Sequence, residues 1–209
     1  PKGATARFAY SGKRTPKKYL GRMAILYEHI YVASVSMGAN KQQLLTAFME
    51  AEAYPGPSLI ICYAPCISHG FDMQFVQAQE KRAVTTGYWP LFRFNPMLAE
   101  KGKNPFVIDA ATHDGDIQEF LGRENRFIAL ERSFPEASRM LRTQLEADYY
   151  KRHVLAETIA DLSPQAWGIE PGAPVTAPPA EEKEPPKVQL SVTAEHMRHH
   201  DESGEPLDE

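Results

Sequence analysis

The fold is decided by residues 31–66, which read YVASVSMGANKQQLLTAFMEAEAYPGPSLIICYAPC. Residues 29–36 are apolar and β-branched, as in a buried strand, and residues 58–64 form a nearly unbroken apolar run, which is typical of a strand covered on both faces. Residues 41–54 lie between them with helical spacing, and a Pro-Gly-Pro sequence stops the helix. This order predicts a strand–helix–strand unit in which the helix crosses one face of the sheet.

The alternation of strands and helices continues on both sides of this unit. Thr15 followed by Pro16 is typical of a helix start, and the pattern becomes purely helical after residue 114. Further elements are expected at residues 71–87 (helix), 88–96 and 104–110 (short strands), and 116–122 and 136–162 (helices). The sequence therefore predicts an α/β fold, a layered and mostly parallel sheet with flanking helices, closed by a C-terminal helix.

Composition changes sharply after residue 162. Residues 163–209 contain eight prolines and an acidic excess with few large apolar side chains, so they cannot bury enough surface to offset the entropy of ordering. We expect one domain at residues 1–162 and a disordered, acidic, Pro-rich tail at residues 163–209. The tail's His196, His199 and His200 are expected to be incidental rather than a metal site.

The overall composition excludes several classes of protein. The chain has 209 residues, a formal net charge of -4 and two cysteines, which favours a cytoplasmic protein without a disulfide framework. No apolar run approaches the length of a membrane helix. The chain also lacks the strong excess of basic residues that is typical of nucleic-acid-binding proteins. The chain begins at Pro1 rather than methionine, which suggests a processed or truncated product.

The two cysteines occupy different positions in the predicted elements. Side chains alternate along a strand, so Cys62 shares a face with Ile60 and is expected to be a small buried hydrophobe. Cys66 follows the strand and Pro65, in the region where open α/β sheets bind ligands. From the residues alone, Cys66 is either inert packing or a ligand whose partners lie elsewhere.

Other candidate sites have simpler explanations. Residues 36–40 could direct backbone amides at an anion, but a tight turn between strand and helix without a ligand explains the glycine as well. Asp109, Asp114 and Asp116 do not have the spacing of an EF-hand loop, so a solvated turn is expected. The sequence has neither a Gly-rich phosphate loop nor a G-x-S-x-G motif.

Several strings resemble one known family. Residues 31–70, residues 81–96 (KRAVTTGYWPLFRFNP) and residues 101–110 (KGKNPFVIDA) resemble the distal part of the C-terminal thiamine-diphosphate-binding domain of pyruvate:ferredoxin (flavodoxin) oxidoreductases. The opening PKGATARFAYSGKRTPKKYLGRMA is similar to that family too, and the resemblance runs to about residue 162. Family members oxidatively decarboxylate pyruvate on thiamine diphosphate, form acetyl-CoA and pass electrons through [4Fe-4S] clusters to ferredoxin or flavodoxin.

The resemblance implies a role for Cys66. Tyr63-Ala64-Pro65-Cys66 matches the family's Y-[AS]-P-C motif, whose cysteine is the fourth thiolate of the [4Fe-4S] cluster nearest the thiamine. The three other cysteines of that cluster come from upstream sequence in the family. Cys62 lies outside the motif, which agrees with a packing role.

The resemblance also implies that most of the site lies elsewhere. The family's G-D-G and Y-S-N-T-G-G-Q segments, which bind Mg²⁺ and the diphosphate, do not occur in this chain. No catalytic or thiamine-binding residue is therefore assigned, although Ser36, Asn40 and His69 are positions to inspect.

The expected function is that of a fragment, inactive alone, of such an oxidoreductase. The expected partners are the remainder of a homodimeric enzyme, ferredoxin or flavodoxin, pyruvate and coenzyme A. The alternative is a non-catalytic structural or interaction subunit that retains the fold.

Overall fold

The computed structural model describes residues 1–110 and 114–168. Strands and helices alternate through most of this part, which confirms the α/β class. The strands are β1 (Tyr31–Val35), β2 (Ser58–Cys62), β3 (Phe92–Phe94) and β4 (Phe106–Ile108). The helices are α1 (Leu20–Ile25), α2 (Lys41–Ala53), α3 (Val76–Thr85), α4 (Met97–Glu100), α5 (Ile117–Leu121), α6 (Asn125–Ser133) and α7 (Pro135–Ala160).

The sheet is mixed rather than mostly parallel. The strand order is β2-β1-β3-β4; β2 runs parallel to β1, whereas β3 is antiparallel to β1 and β4 is antiparallel to β3. The helix α2 supplies the long crossover that a parallel pair requires. Only residues 95–105, with the single turn of α4, connect β3 to β4, and this connection returns the chain in the opposite direction.

Helices cover both faces of the central strand β1, which is buried along its whole length. On one face, Ala33 belongs to an apolar cluster with Ala47 of α2. On the other face, Val32 belongs to a cluster that includes Ala24 of α1 and Ile159 of α7. The strand–helix–strand prediction for residues 29–64 is confirmed by this arrangement.

The strand β2 corrects one expectation of the sequence analysis. Its apolar run predicts burial on both faces, but Ser58 and Cys62 are exposed and the three residues between them are only half-buried. The reason is that β2 is an edge strand: within residues 1–110 and 114–168, its sole strand partner is β1. The expectation that Cys62 is buried is therefore wrong.

The first helix begins later than predicted. Tyr19 rather than Thr15 precedes α1, so the capping signal at Thr15-Pro16 does not start a helix. The chain before α1 instead follows the surface of the domain, where the Lys17 ammonium lies 5.5 Å from the centroid of the Trp89 ring. A cation over an indole face is a favourable contact that the local helix signal cannot anticipate.

The last helix is held by one side chain from the loop between β3 and β4. The amide nitrogen of Asn104 lies 2.8–2.9 Å from the carbonyl oxygens of Ile159, Ala160 and Leu162. The Asn104 oxygen accepts hydrogen bonds from the Phe106 amide and from the Trp167 indole. This asparagine therefore satisfies carbonyls that the end of α7 leaves without helical partners.

Beyond α7, a short 3-10 helix spans Pro164–Trp167, and the Trp167 ring packs against Phe94 at 5.1 Å between centroids. The remaining part of the predicted tail, with His196, His199 and His200, lies outside the described residues. Within the described part of the chain, no helix combines the length and apolarity needed to cross a membrane.

Candidate functional site

The chain leaves the sheet at Tyr63 and presents Cys66 to solvent. The Tyr63 amide still donates to the Val35 carbonyl at 3.0 Å, which is the final backbone link to β1. A short 3-10 helix (Ile67–His69) then begins, and Cys66 occupies its N-cap position. Cys66 is a free, exposed thiol just beyond the carboxyl end of a strand, where the sequence analysis placed it.

The surroundings of Cys66 favour its thiolate form. Its sulfur accepts a hydrogen bond from the Ser68 amide at 3.4 Å. Hydrogen bonds from the Ser68 amide and hydroxyl lower the pKa of the Cys66 thiol, and the positive charge of Arg126 adds to this effect. A thiolate is the form of cysteine that binds metals and attacks electrophiles.

His69 lies beside this thiol as a neutral ring. Its Nδ1 accepts a hydrogen bond from the Cys66 amide at 3.4 Å. Partial burial, together with the charge of Arg126, lowers the pKa of His69 to about 4. The ring is therefore neutral at pH 7 with its proton on Nε2. His69 thus supports the local turn and does not form an imidazolium–thiolate pair with Cys66.

A buried ion pair lies beneath this loop. Glu124 is fully buried, and its carboxylate accepts from Arg126 Nε at 2.6 Å and from Gln79 Nε2 at 3.1 Å. Arg126 also donates to the Tyr88 hydroxyl at 3.2 Å. This network fixes the cation that stabilises the Cys66 thiolate.

The helix α6 supports the same loop and was missed by the sequence analysis. Gly70 adopts φ 74°, and a Cβ atom there would lie 2.5 Å from Cβ of Asn125 at the start of α6. Only glycine permits both this conformation and this close approach. Phe127 and Leu130, which are three residues apart and buried, carried a helical signal that could have located α6.

The second cysteine is exposed, but it is in register with a buried residue. Cys62 is the last residue of β2, opposite Val35 of β1. Both cysteines are free thiols. No group of three or more His, Cys, Asp or Glu side chains within residues 1–110 and 114–168 could hold a metal ion. In the described part of the chain, Cys66 can therefore supply one ligand but not a complete metal site.

The turn at residues 36–40 is occupied from within the protein. The Gly38 amide donates to Glu80 Oε2 at 2.6 Å, and the Ser36 hydroxyl donates to the same oxygen at 3.1 Å. Asn40 caps α2 by accepting from the Gln43 amide at 2.9 Å. The anion at these amides is thus the buried Glu80 carboxylate, which agrees with a tight turn that holds no ligand.

The three aspartates do not form one site. Asp109 accepts three hydrogen bonds from the Arg93 guanidinium and one from Gln43, so it is paired rather than solvated. Asp116 caps α5 through the Gln118 amide at 2.7 Å. Asp114 is exposed. Asp109 and Asp116 thus have separate partners, and these carboxylates form no metal-binding group of three or more within the described residues.

No family model matches the chain, but individual proteins do. It is 53% identical over 146 residues to the pyruvate:ferredoxin oxidoreductase of Moorella thermoacetica, a match that covers 70% of this chain and 12% of that protein. It is 42% identical over 183 residues to a putative pyruvate-flavodoxin oxidoreductase of Synechocystis, covering 85% of this chain and 15% of that protein. A mitochondrial NADP(+) pyruvate dehydrogenase of Euglena gracilis is 48% identical over 144 residues, which is 68% of this chain and 8% of that protein.

The chain spans less than a sixth of the length of these relatives. The identities nevertheless extend over most of this chain and agree on one group of proteins. Over most of its length, the chain is therefore homologous to a segment of proteins named pyruvate:ferredoxin and pyruvate-flavodoxin oxidoreductases.

Proposed function

We propose that this chain is the distal part of the thiamine-diphosphate-binding domain of a pyruvate:ferredoxin (flavodoxin) oxidoreductase, and that Cys66 is one thiolate ligand of its [4Fe-4S] cluster. The complete enzyme would convert pyruvate and coenzyme A to acetyl-CoA and CO₂. The electrons would pass to ferredoxin or flavodoxin.

The observation that carries this proposal is the state of Cys66. Its thiol is exposed, and the Ser68 hydrogen bonds lower its pKa, so it is ready to act as a ligand. Thiolates are the ligands that iron–sulfur clusters prefer, and a bound cluster would supply one-electron transfer. The chain's own contribution is to hold this sulfur at the end of β2, with Arg126 as a nearby cation.

The remaining cluster ligands would come from sequence outside this chain. Within the described residues no second or third donor joins Cys66 in a metal-binding group. The matched relatives are six or more times longer than their matched segments, which leaves ample sequence for three further cysteines.

The exposed strand β2 supports the same conclusion. Leu59, Ile60 and Ile61 are half-buried on an edge strand, although their sequence is that of a strand in the interior of a sheet. An additional strand alongside β2 would cover them and would satisfy its free backbone groups. We infer that the rest of the domain's sheet pairs with β2 in the complete protein.

Thiamine diphosphate and Mg²⁺ would be bound mainly by sequence outside this chain. Ser36 and Asn40, two of the positions to inspect, already make internal contacts with Glu80 and Gln43. His69 is held by the Cys66 amide. These contacts support a structural role for the three residues, and none is proposed as a catalytic residue.

Replacement of each cysteine by alanine in the complete oxidoreductase tests the proposal. Cys66→Ala should lower the iron content by the equivalent of one cluster and reduce pyruvate-dependent reduction of ferredoxin at least tenfold. Cys62→Ala is the matched control, because Cys62 is also a free thiol and lies four residues away, outside the Y-A-P-C motif. It should leave the iron content and the reduction rate unchanged.

Two outcomes contradict the proposal. Full iron content and full electron transfer in Cys66→Ala would exclude Cys66 as a ligand and would favour the non-catalytic subunit. Cluster loss in Cys62→Ala with normal iron in Cys66→Ala would show that Cys62, and not Cys66, is the cluster ligand.

A further inference from the structure

A cavity of about 230 Å³ lies on the face of the sheet opposite α2. Residues from β1, β2, β3, α1 and α7 line it, and Cys66 is not among them. The apolar part of the lining includes Ile61, Phe92, Leu155, Ala156 and Ile159. The cavity is smaller than a drug-sized binding site, so it suits a short apolar chain.

Four cations line the same cavity: Lys17, Lys18, Arg22 and Arg152. None of them forms an ion pair with a carboxylate in the part of the chain that the structure describes. Like charges that gather without a counter-ion repel one another, and an anion would remove this repulsion. The lining therefore combines apolar surface with an uncompensated positive charge.

Arg152 is the cation of this lining that is held most firmly in place. Its guanidinium carbon lies 3.9 Å from the centroid of the Tyr19 ring and 4.5 Å from that of Tyr149, so the group is held between two aromatic side chains. Its Nη2 donates to the Tyr19 hydroxyl, and its Nε is buried, so neither atom is offered to a ligand. A carboxylate in the cavity would accept a charge-assisted hydrogen bond from the remaining nitrogen, Nη1.

The pKa of Lys17 reflects the same concentration of positive charge. Partial burial and the positive charges of Arg152, Arg126 and Lys13 lower the pKa of Lys17. An anion in the cavity would reverse this effect.

We propose that the cavity binds a small amphipathic carboxylate, with its alkyl chain against Ile61, Phe92 and Leu155 and its carboxylate at Arg152. The head group should be a carboxylate rather than a phosphate, because a strongly hydrated dianion would lose too much solvation beside this apolar lining. The cavity volume of about 230 Å³ leaves room for a medium-length alkyl chain, so an eight-carbon carboxylate is used to test the site.

Octanoate is the probe, and isothermal titration calorimetry of this chain at pH 7 is the measurement. We expect saturable binding at one site. Octylamine and octan-1-ol, which have the same chain but the wrong head group, should bind at least tenfold more weakly. Equal binding of the three compounds would overturn the proposal, because the cations would then have no role.

Two pairs of variants locate the site. Arg152→Gln should weaken octanoate binding at least tenfold, whereas Lys151→Gln, which removes the neighbouring exposed cation outside the cavity, should not. Leu155→Trp should block the cavity, whereas Val154→Trp, on the adjacent exposed position, should not. Lys18→Gln, at an exposed position, gives a second test of the charge if Arg152→Gln does not fold. An affinity for octanoate that is unchanged in all three cavity variants would overturn the proposal.

The cysteine and the occupant of the cavity are tested separately. Cys66→Ser should bind octanoate like the unmodified chain, so the cavity is independent of the proposed cluster role. The titration is then repeated on the complete oxidoreductase. Binding that persists supports a site for a free carboxylate. Binding that disappears overturns it, because a segment of the larger protein then fills the cavity.

Discussion

The strands β1 and β2 have equally apolar sequences but opposite exposures. YVASV of β1 is buried along its whole length, whereas SLIIC of β2 is exposed at both ends and half-buried in the middle. The two strands are paired residue for residue, from Tyr31 with Ser58 to Val35 with Cys62. The difference is that β1 has a strand on each side and β2 has one.

This contrast shows what an apolar run does and does not encode. It encodes a strand that is stable only when covered, but it does not say whether this chain or another supplies the cover. For β1 the cover is α1, α2, α7 and two strands of the same chain. For β2 a large part of the cover is missing from the described residues; under the proposed function, the rest of the oxidoreductase would supply it.

The largest expected effect comes from placing the same charge on each strand. Val32→Lys should destabilise the chain by more than about 4 kcal/mol, because it buries an unpaired ammonium between α1 and α7. Leu59→Lys, at the register partner of Val32, should cost only about 1 kcal/mol, because the lysine stem can carry its charge past the open edge. Urea denaturation followed by circular dichroism gives both values.

Leu59→Lys also tests the open edge directly. An exposed apolar edge promotes association, and an added lysine opposes it. The variant should therefore show less concentration-dependent light scattering than the unmodified chain. Equal destabilisation by the two lysines would show that β2 is as well covered as β1, which would break the comparison.

The next largest effect on stability comes from removing one carboxylate charge from a buried ion pair and, for comparison, from an exposed one. Glu124→Gln should cost about 3 kcal/mol, because it leaves the Arg126 guanidinium uncompensated beneath the Cys66 loop. Glu119→Gln removes a carboxylate from the exposed Arg123–Glu119 pair and should cost less than about 1 kcal/mol. Thermal unfolding of the two variants compares them. Similar costs would mean that the buried pair does not hold the loop.

The smallest expected effect is a shift in the pH dependence of Cys66 alkylation when the Ser68 hydroxyl is removed. The Ser68 hydroxyl and amide lower the pKa of Cys66, so the rate of alkylation by iodoacetamide should rise at a lower pH than for an ordinary thiol. Ser68→Ala should shift that pH profile upwards, because one of the donors is lost. Mass spectrometry at Cys66 follows the reaction, and Cys62→Ala removes the competing thiol. An unchanged profile would show that the Ser68 hydroxyl does not act on the sulfur.

Local sequence predicted the elements that depend on neighbouring residues. The strand–helix–strand unit and the long α7 follow from periodicity and from breaks at proline, and both are present. The position of Cys66 beyond the end of β2 also follows from Pro65 and strand alternation. The Y-A-P-C motif added the cluster role, which stays a prediction.

Features that depend on contacts between residues far apart in the sequence could not be predicted from local sequence. Thr15 and Pro16 resemble a helix start, but the chain there is held by the contact between Lys17 and Trp89. The exposure of Cys62 depends on whether a strand lies beyond β2. The Glu124–Arg126 pair that supports the Cys66 loop has a clear charge pattern, but its burial depends on packing with α3.

The side chain of Asn104 links two parts of the chain that are 55 residues apart. A helix end normally unwinds by itself, because its last carbonyls have no helical partners. Here those carbonyls are bound to the loop between β3 and β4, so the end of α7 cannot fray unless that loop also moves. We therefore expect the two segments to open as one cooperative unit, so that a disturbance at the end of α7 also reaches the β3–β4 side of the sheet.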